Sequence, residues 1–284
     1  MNKLLLAETK RIVLSPLFYL AIFIIVGINA FEIVACNYGF QVSLTTFLFT
    51  HTKILCIIMS ILIPLHIGQE FEHRTINNKI VAGYKRLQFY LSEVVVSLIC
   101  TFILLSIDCL CVFGFCFIQQ YNSNSIDIVS TFISFIITLS SLCTISILYT
   151  AIIIILRQRI VSITFTLLLS LCLLHAGTLS VSSLIQPPYQ AELTSNNKKE
   201  ELIPNPLYLS GNKRVLTNLH ISISPFAQLS YIPFISTESR DTKKENSLIF
   251  QNYPYHIEYC IINIIEILCI LYIGFYIFKQ HDLK

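Results

Sequence analysis

The chain has 284 residues, a mean hydropathy of +0.71 and a hydrophobic content of 55%, and only 12% of its residues are charged. Because soluble domains carry about 25% charged residues, this composition excludes an ordinary soluble protein and predicts a membrane protein with several spans. The formal net charge of +3 is too small to indicate a nucleic-acid partner, so we expect none.

Six apolar runs reach the length of about 20 residues that is needed to cross a lipid bilayer. The first run follows Ser15 and Pro16, which together are typical of a helix start. An even number of spans places both termini on one side. The predicted fold is therefore an all-α membrane protein with a single transmembrane domain over residues 1–284. The predicted spans are residues 17–35, 46–68, 91–118, 128–156, 161–184 and 257–278.

The sidedness of the spans is predicted from Lys and Arg in the short connections, because these residues are enriched on the cytoplasmic side. The connections at residues 36–43 and 119–127 contain none, whereas the termini and the other short connections contain eleven. We therefore expect both termini and the loop at residues 69–90 to be cytoplasmic. The eleven residues are Lys3, Lys10, Arg11, Arg74, Lys79, Lys85, Arg86, Arg157, Arg159, Lys279 and Lys284.

The long segment at residues 185–256 is expected on the outer side, between the fifth and sixth spans. Long loops are exempt from the charge rule, so the seven Lys and Arg of this segment do not contradict the assignment. Residues 215–221 and 226–234 are apolar enough to rest on the outer membrane surface or to cap the helix bundle. Residues 194–201 and 236–245 are predicted to be solvated loops.

No common catalytic or nucleotide-binding motif is present. The sequence lacks H-E-x-x-H and G-x-S-x-G, and none of its eight glycines is followed directly by Lys, so there is no Walker A loop. The ten cysteines lie almost entirely in apolar runs without C-x-x-C spacing. We therefore expect a protein that is not an enzyme and that holds no metal or cofactor. Any ATP that it uses must be bound by a partner chain.

Three ionisable residues lie well inside the predicted spans, namely Asp108, His175 and Glu266. Counting about 1.5 Å of rise per residue places all three in the outer half of the membrane. Such residues usually have a function, which favours a polar patch on a translocation path that includes a histidine–carboxylate pair. The alternative is a structural hydrogen bond between helices, or a carboxylate that reaches the outer interface.

The loop at residues 68–93 is the most informative motif. It contains Gln-Glu-Phe-Glu-His-Arg-Thr-Ile-Asn-Asn-Lys-Ile at residues 69–80, followed by Gly83, Arg86 and Tyr-Leu-Ser at residues 90–92. From composition alone, a charged loop that merely fixes the topology is the simpler interpretation. The run nevertheless resembles the first cytoplasmic loop of permease subunits of type-2 ABC transporters, of the Gram-positive exporter type.

Two further stretches are similar to that family. Residues 205–214, with Pro225 and Gln228 downstream, look like the outer segment before the last span, and residues 278–284 look like the closing segment. The resemblance implies two paired permease chains, each bound to one ATP-binding subunit through cytoplasmic helices. Short re-entrant helices are common before the last span of that family. The residues implied in coupling to the ATP-binding subunit are Glu70, Glu72, Arg74, Thr75, Lys79 and Arg86.

The predicted function is thus a permease subunit of an ATP-driven exporter in the plasma membrane. Its expected substrate is hydrophobic or amphipathic, such as an antimicrobial peptide or a drug, and self-immunity is one role that fits. One alternative is a stand-alone immunity or receptor protein that captures a toxin on the outer loop. Another is an intramembrane enzyme that uses Asp108, His175 and Glu266, which turnover without any ATP-binding partner would favour.

Overall fold

The computed structural model describes residues 2–37, 48–118, 128–193, 200–241 and 257–280, which are mostly helical. Long apolar helices pack side by side and account for most of the buried core. In chain order the elements are α1 (Asn2–Val13), α2 (Pro16–Asn37), α3 (Thr52–Glu72), α4 (Thr75–Val81), α5 (Arg86–Ile118), α6 (Ile128–Leu156), α7 (Arg159–Leu184), β1 (Tyr189–Leu193), β2 (Glu200–Pro204), α8 (Asn212–Ile223), α9 (Pro225–Asp241) and α10 (Ile257–Gln280).

Five of these helical segments are long and apolar enough to cross a membrane. A sixth span is reached if the bent pair Leu4–Val13 and Pro16–Phe31, whose axes meet at 53°, is counted as one. The prediction of a helical chain with several helices that are apolar enough to cross a membrane is therefore confirmed. The predicted number of six spans is reached only with the bent pair, and the cytoplasmic position of both termini stays a prediction. The five segments are Leu48–Glu72, Arg86–Gly114, Thr131–Leu156, Arg159–Leu184 and Glu258–Gln280.

The bend between α1 and α2 follows from the residues that separate them. The Ser15 hydroxyl accepts a hydrogen bond from the Phe18 amide at 3.2 Å, which caps the new helix. Pro16 stands in the first position of α2, where no amide donor is needed. Helix α1 buries Leu4, Glu8 and Ile12, which are spaced four residues apart and therefore form one stripe along the helix.

The helices extend beyond the predicted spans at the charged loop. Helix α3 continues to Glu72, and α5 already begins at Arg86, so the connection is shorter than residues 69–90. Hydropathy ends a span at its first charged residue, whereas a helix continues as long as its backbone hydrogen bonds form and its side chains find partners.

Several charged connections meet at one end of the bundle, which we call the charged end. Glu72 at the end of α3 forms an ion pair with Arg159 at the start of α7, with 3.0 Å between Oε2 and Nη1. Arg86 at the start of α5 donates a hydrogen bond to the carbonyl of Lys279 near the end of α10. Contacts at the charged end therefore link four of the long helices.

Helix α9 is packed inside the bundle rather than on its surface. Residues 225–233 are all buried, in contact with α6 and α7. A side chain at Gly177 on α7 would come within 2.7 Å of the Ala227 Cα atom, so the two backbones pass each other closely. The apolar residues 226–233 are thus packed within the bundle, whereas their predicted position on the outer side of the membrane stays a prediction.

The segment before α9 contains a short antiparallel hairpin and the amphipathic helix α8. In the hairpin, β1 pairs with β2 from Tyr189 opposite Pro204 to Leu193 opposite Glu200. The predicted all-α fold did not include this hairpin. Helix α8 buries Ile221, whereas its remaining large apolar residues are exposed. These exposed residues are Val215, Leu216, Leu219 and Ile223.

Candidate functional site

The loop between α3 and α5 folds into the short helix α4 with a tight reversal on either side. Arg74 precedes α4 with a φ of 54°, and Gly83 follows it with a φ of 94°. Glycine adopts the second conformation without the steric cost that a side chain would bring. Thr75 strengthens the first reversal because its hydroxyl donates a hydrogen bond to the Glu70 carbonyl at 3.3 Å.

Glu70 holds this loop from inside the protein. Its residue is only 1% exposed, and its carboxylate accepts hydrogen bonds from Lys79 Nζ at 2.5 and 2.6 Å. Arg11 on α1 also donates to this carboxylate. Because a buried carboxylate is stable only with charged or hydrogen-bonding partners, Glu70 ties α1 and α4 to the end of α3.

Lys79 is the second anchor, and it reaches three other helices. Besides Glu70 on α3, its ammonium group donates to Glu8 on α1 and lies 5.1 Å from the ring centroid of Phe89 on α5. A cation over an aromatic ring adds about 0.5–2 kcal/mol, depending on how far it is desolvated. Helix α4 is thereby fixed against α1, α3 and α5 through a single side chain.

His66 and Glu93 complete this group of buried polar residues. Arg11 donates a hydrogen bond to His66 Nε2 at 3.1 Å, and Glu93 is only 1% exposed. Neither carboxylate oxygen of Glu93 has a hydrogen-bond partner among the described residues. The group therefore combines three carboxylates, two cations and an imidazole at the charged end. This charge cluster consists of Glu8, Arg11, His66, Glu70, Lys79 and Glu93.

The outer surface of the loop is formed by other residues. Arg74 and Lys85 are exposed, and Val81 is 88% exposed although it is apolar. The Glu72–Arg159 pair is also open to solvent, with side chains 54% and 31% exposed. Beside this pair, an open groove of about 750 Å³ lies between the end of α3 and the start of α7. The loop thus presents a mixed apolar and charged surface away from the membrane spans.

The six residues expected to couple this chain to an ATP-binding subunit consequently fall into three groups. Glu70 and Lys79 point inward and bind each other, so they position the loop rather than offer themselves to a partner. Glu72 and Arg74 are exposed. Thr75 and Arg86 are half-buried and hydrogen-bonded to carbonyl groups of neighbouring segments.

No family model and no curated protein sequence matches this chain. Its function must therefore be argued from its own residues.

The three ionisable residues predicted in the outer half of the spans are not brought together. Asp108 is fully buried on α5 and accepts a hydrogen bond from Asn29 Nδ2 on α2 at 2.8 Å. His175 is exposed on α7, and Glu266 is half-buried on α10. Among the described residues, no hydrogen bond or ion pair joins any two of these three. Whether they line a translocation path stays a prediction.

A different histidine lies near Asp108. His51 is 2% exposed, and it lines a small cavity together with Asn29 and Asp108. The cavity has a volume of about 10 Å³, which is near the lower limit for a single water molecule. His51 falls within the predicted span at residues 46–68, and no sequence pattern pairs it with Asp108. One polar contact of Asp108 within the bundle is thus made with α2, and His51 faces the same cavity.

A second polar network, which sequence reasoning missed, holds α9 inside the bundle. The Gln228 side-chain oxygen accepts hydrogen bonds from Ser141 on α6 at 2.7 Å and from Asn263 on α10 at 2.8 Å. Its side-chain nitrogen donates to the Ser222 carbonyl at 2.8 Å. Gln228, Ser141 and Asn263 are all fully buried. In the sequence, the family resemblance alone pointed to Gln228. The other signal was Asn263, a single Asn in an apolar run.

Proposed function

We propose that this chain is the permease subunit of an ATP-driven ABC exporter of the plasma membrane. It would form the translocation path, pair with a second permease chain and receive its driving force from a separate ATP-binding subunit. The expected substrate is a hydrophobic or amphipathic compound such as an antimicrobial peptide or a drug, with self-immunity as one biological use.

The observation that carries this proposal is the anchored loop at the charged end. A subunit outside the membrane can move helices only through a stiff contact, because a flexible loop would absorb the displacement. Helix α4 meets this requirement, since Lys79 and Glu70 bind it to three helices while Val81 remains exposed at its tip. A displacement of α4 would be passed directly to α1, α3 and α5.

Three further features support the proposal. The short helices α8 and α9 precede the last span, as the resemblance to type-2 ABC permeases implies. Helix α10 exposes a row of large apolar residues, including Ile264, Leu268 and Tyr272, which suits contact with lipid or with a second permease chain. The absence of a Walker A motif in the sequence is also what a subunit without its own nucleotide site requires.

Co-purification tests the proposal. The tagged chain, extracted from its native membrane in mild detergent, should carry an ATP-binding subunit in stoichiometric amount and show ATP hydrolysis. Val81→Asp should reduce the bound subunit and the hydrolysis without changing the unfolding temperature of the chain, because Val81 makes little contact with the rest of the protein. A chain that is pure, functional in cells and free of any ATP-binding subunit would refute the proposal.

A second candidate is a stand-alone immunity or receptor protein, which the exposed apolar side of α8 favours. Four large apolar residues on one short helix could bind an amphipathic peptide directly. Replacing Leu216 and Leu219 by Asp should then abolish protection, whereas disabling the nucleotide site of an ATP-binding subunit should leave it intact. The permease proposal predicts that disabling the nucleotide site removes protection.

A further inference from the structure

Three buried side chains at the charged end direct metal-binding atoms at one point. Glu8 on α1, His66 on α3 and Glu93 on α5 each offer one oxygen or nitrogen atom, and these atoms all lie within 4.8 Å of one another. Their residues are 3%, 6% and 1% exposed. The three come from separate parts of the chain, so no spacing rule for metal motifs could have found them in the sequence.

Glu93 shows that this point is suited to a cation. Its carboxylate is buried, and neither oxygen has a hydrogen-bond partner in the part of the chain that the structure describes. The cluster holds three carboxylates against the two cations Arg11 and Lys79, and both cations are engaged by Glu8 and Glu70. A buried carboxylate without a partner is costly, and an additional cation bound at this point would remove that cost.

The donor atoms select the kind of cation. Imidazole nitrogen favours Zn²⁺ and its first-row neighbours, whereas Mg²⁺ and Ca²⁺ prefer sites made only of oxygen. Two carboxylates and one histidine are a set that Zn²⁺ accepts, at bond lengths of about 2.0–2.2 Å. We propose that Glu8, His66 and Glu93 form a binding site for a divalent transition-metal ion of the Zn²⁺ type.

Arg11 is the competitor for this site. Its Nη2 atom lies 2.9 Å from Glu8 Oε2 and 3.1 Å from His66 Nε2. A guanidinium group has no acceptor, so His66 Nε2 must direct its lone pair toward Arg11, and this is the lone pair that a metal ion requires. The side chain of Arg11 is 36% exposed, whereas that of Glu8 is only 4% exposed. Arg11 can therefore turn toward solvent when the ion enters, while Lys79 remains bound to Glu70.

The site joins α1 to both helices that flank the charged loop. A bound ion would hold the stripe of α1 that contains Glu8 against α3 and α5, in addition to the ion pairs of Glu70. The inference concerns binding alone and does not depend on the proposed transport function.

The test is a Zn²⁺ titration of the purified full-length chain in detergent, with an affinity tag that contains no histidine. The affinity should fall at least about tenfold in Glu93→Gln and in His66→Gln, since each removes one ligand. It should rise in Arg11→Gln, because the competing cation is gone. Glu72→Gln and His73→Gln are the matched controls, since both residues are exposed at the same end, and these variants should bind as the wild type does.

The Arg11 variant separates a metal site from a purely structural cluster. If the three residues only support the fold, Arg11→Gln leaves Zn²⁺ binding unchanged or weaker, as do the other substitutions. Tighter binding in Arg11→Gln together with weaker binding in Glu93→Gln supports the site. Equal affinities in all variants, or no stoichiometric Zn²⁺ in the wild type, overturn it. Thermal unfolding without metal verifies that each variant is folded.

Discussion

Glu70 and Glu72 are two residues apart on α3, and their substitution should have very different effects. The Glu70 side chain is fully buried and binds two cations, whereas the Glu72 side chain is 54% exposed and binds Arg159. We therefore compare Glu70→Ala with Glu72→Ala. The two variants remove the same chemical group from the same helix, so the difference between them reports on the burial of the ion pairs.

The magnitudes follow from the surroundings of each residue. Breaking a buried ion pair by removing one partner costs about 3–5 kcal/mol, because the other charge is left buried. Lys79 and Arg11 keep Glu8 as a partner, so we expect Glu70→Ala to lower the free energy of unfolding by about 3 kcal/mol, the lower end of that range. Exposed pairs contribute about 0–1 kcal/mol, and Glu72→Ala should therefore have little effect.

The assay is reversible unfolding of the purified chain in mixed micelles with increasing denaturing detergent. A double-mutant cycle tests the coupling of the pair, because Glu70→Ala combined with Lys79→Ala should lose less stability than the sum of the two single variants, each of which leaves the other charge without this partner. Equal effects of Glu70→Ala and Glu72→Ala, or strictly additive losses in the double variant, would refute the reasoning that buried ion pairs anchor the loop.

Three further changes probe the packing of the bundle in the same unfolding assay. Gly177→Ala should lower the free energy of unfolding by about 1–3 kcal/mol, because the added Cβ meets the α9 backbone at 2.7 Å. Gly114 has open space around it, so Gly114→Ala should be neutral or slightly stabilising. Asn263→Leu should cost about 1–3 kcal/mol because it leaves buried polar partners unpaired. Asp108→Ala removes a buried hydrogen-bond acceptor and should lower the free energy of unfolding by about 1–2 kcal/mol. His175→Ala changes an exposed position and should have a smaller effect.

The membrane-spanning helices could be predicted because their length and apolar content are local properties of the sequence. Hydropathy alone located helices such as α6 and α10. It could not locate the partners of Glu70, because Arg11 is 59 residues away in the chain and no local pattern links the two. The buried stripe of helix α1 is also hard to recognise in the sequence, since it contains Glu8 between the two apolar residues Leu4 and Ile12.

The polar residues of the outer half show what counting along a helix can and cannot predict. Rise per residue gives the height of a side chain in the membrane but not the direction in which it points. Asp108, His175 and Glu266 were therefore grouped by height, whereas the structure directs them to different surroundings. His51 lies near one end of the predicted span at residues 46–68 and was therefore outside that group.

Crosslinking from the tip of the loop tests the central claim most directly. A photoreactive residue introduced at Val81 in the native membrane should crosslink to a protein that mass spectrometry identifies as an ATP-binding subunit with a Walker A motif. The same residue at Leu216, which is exposed on α8, should not crosslink to that subunit. Crosslinks from Val81 that reach only lipid, or an ATP-binding subunit captured equally from Leu216, would contradict the account.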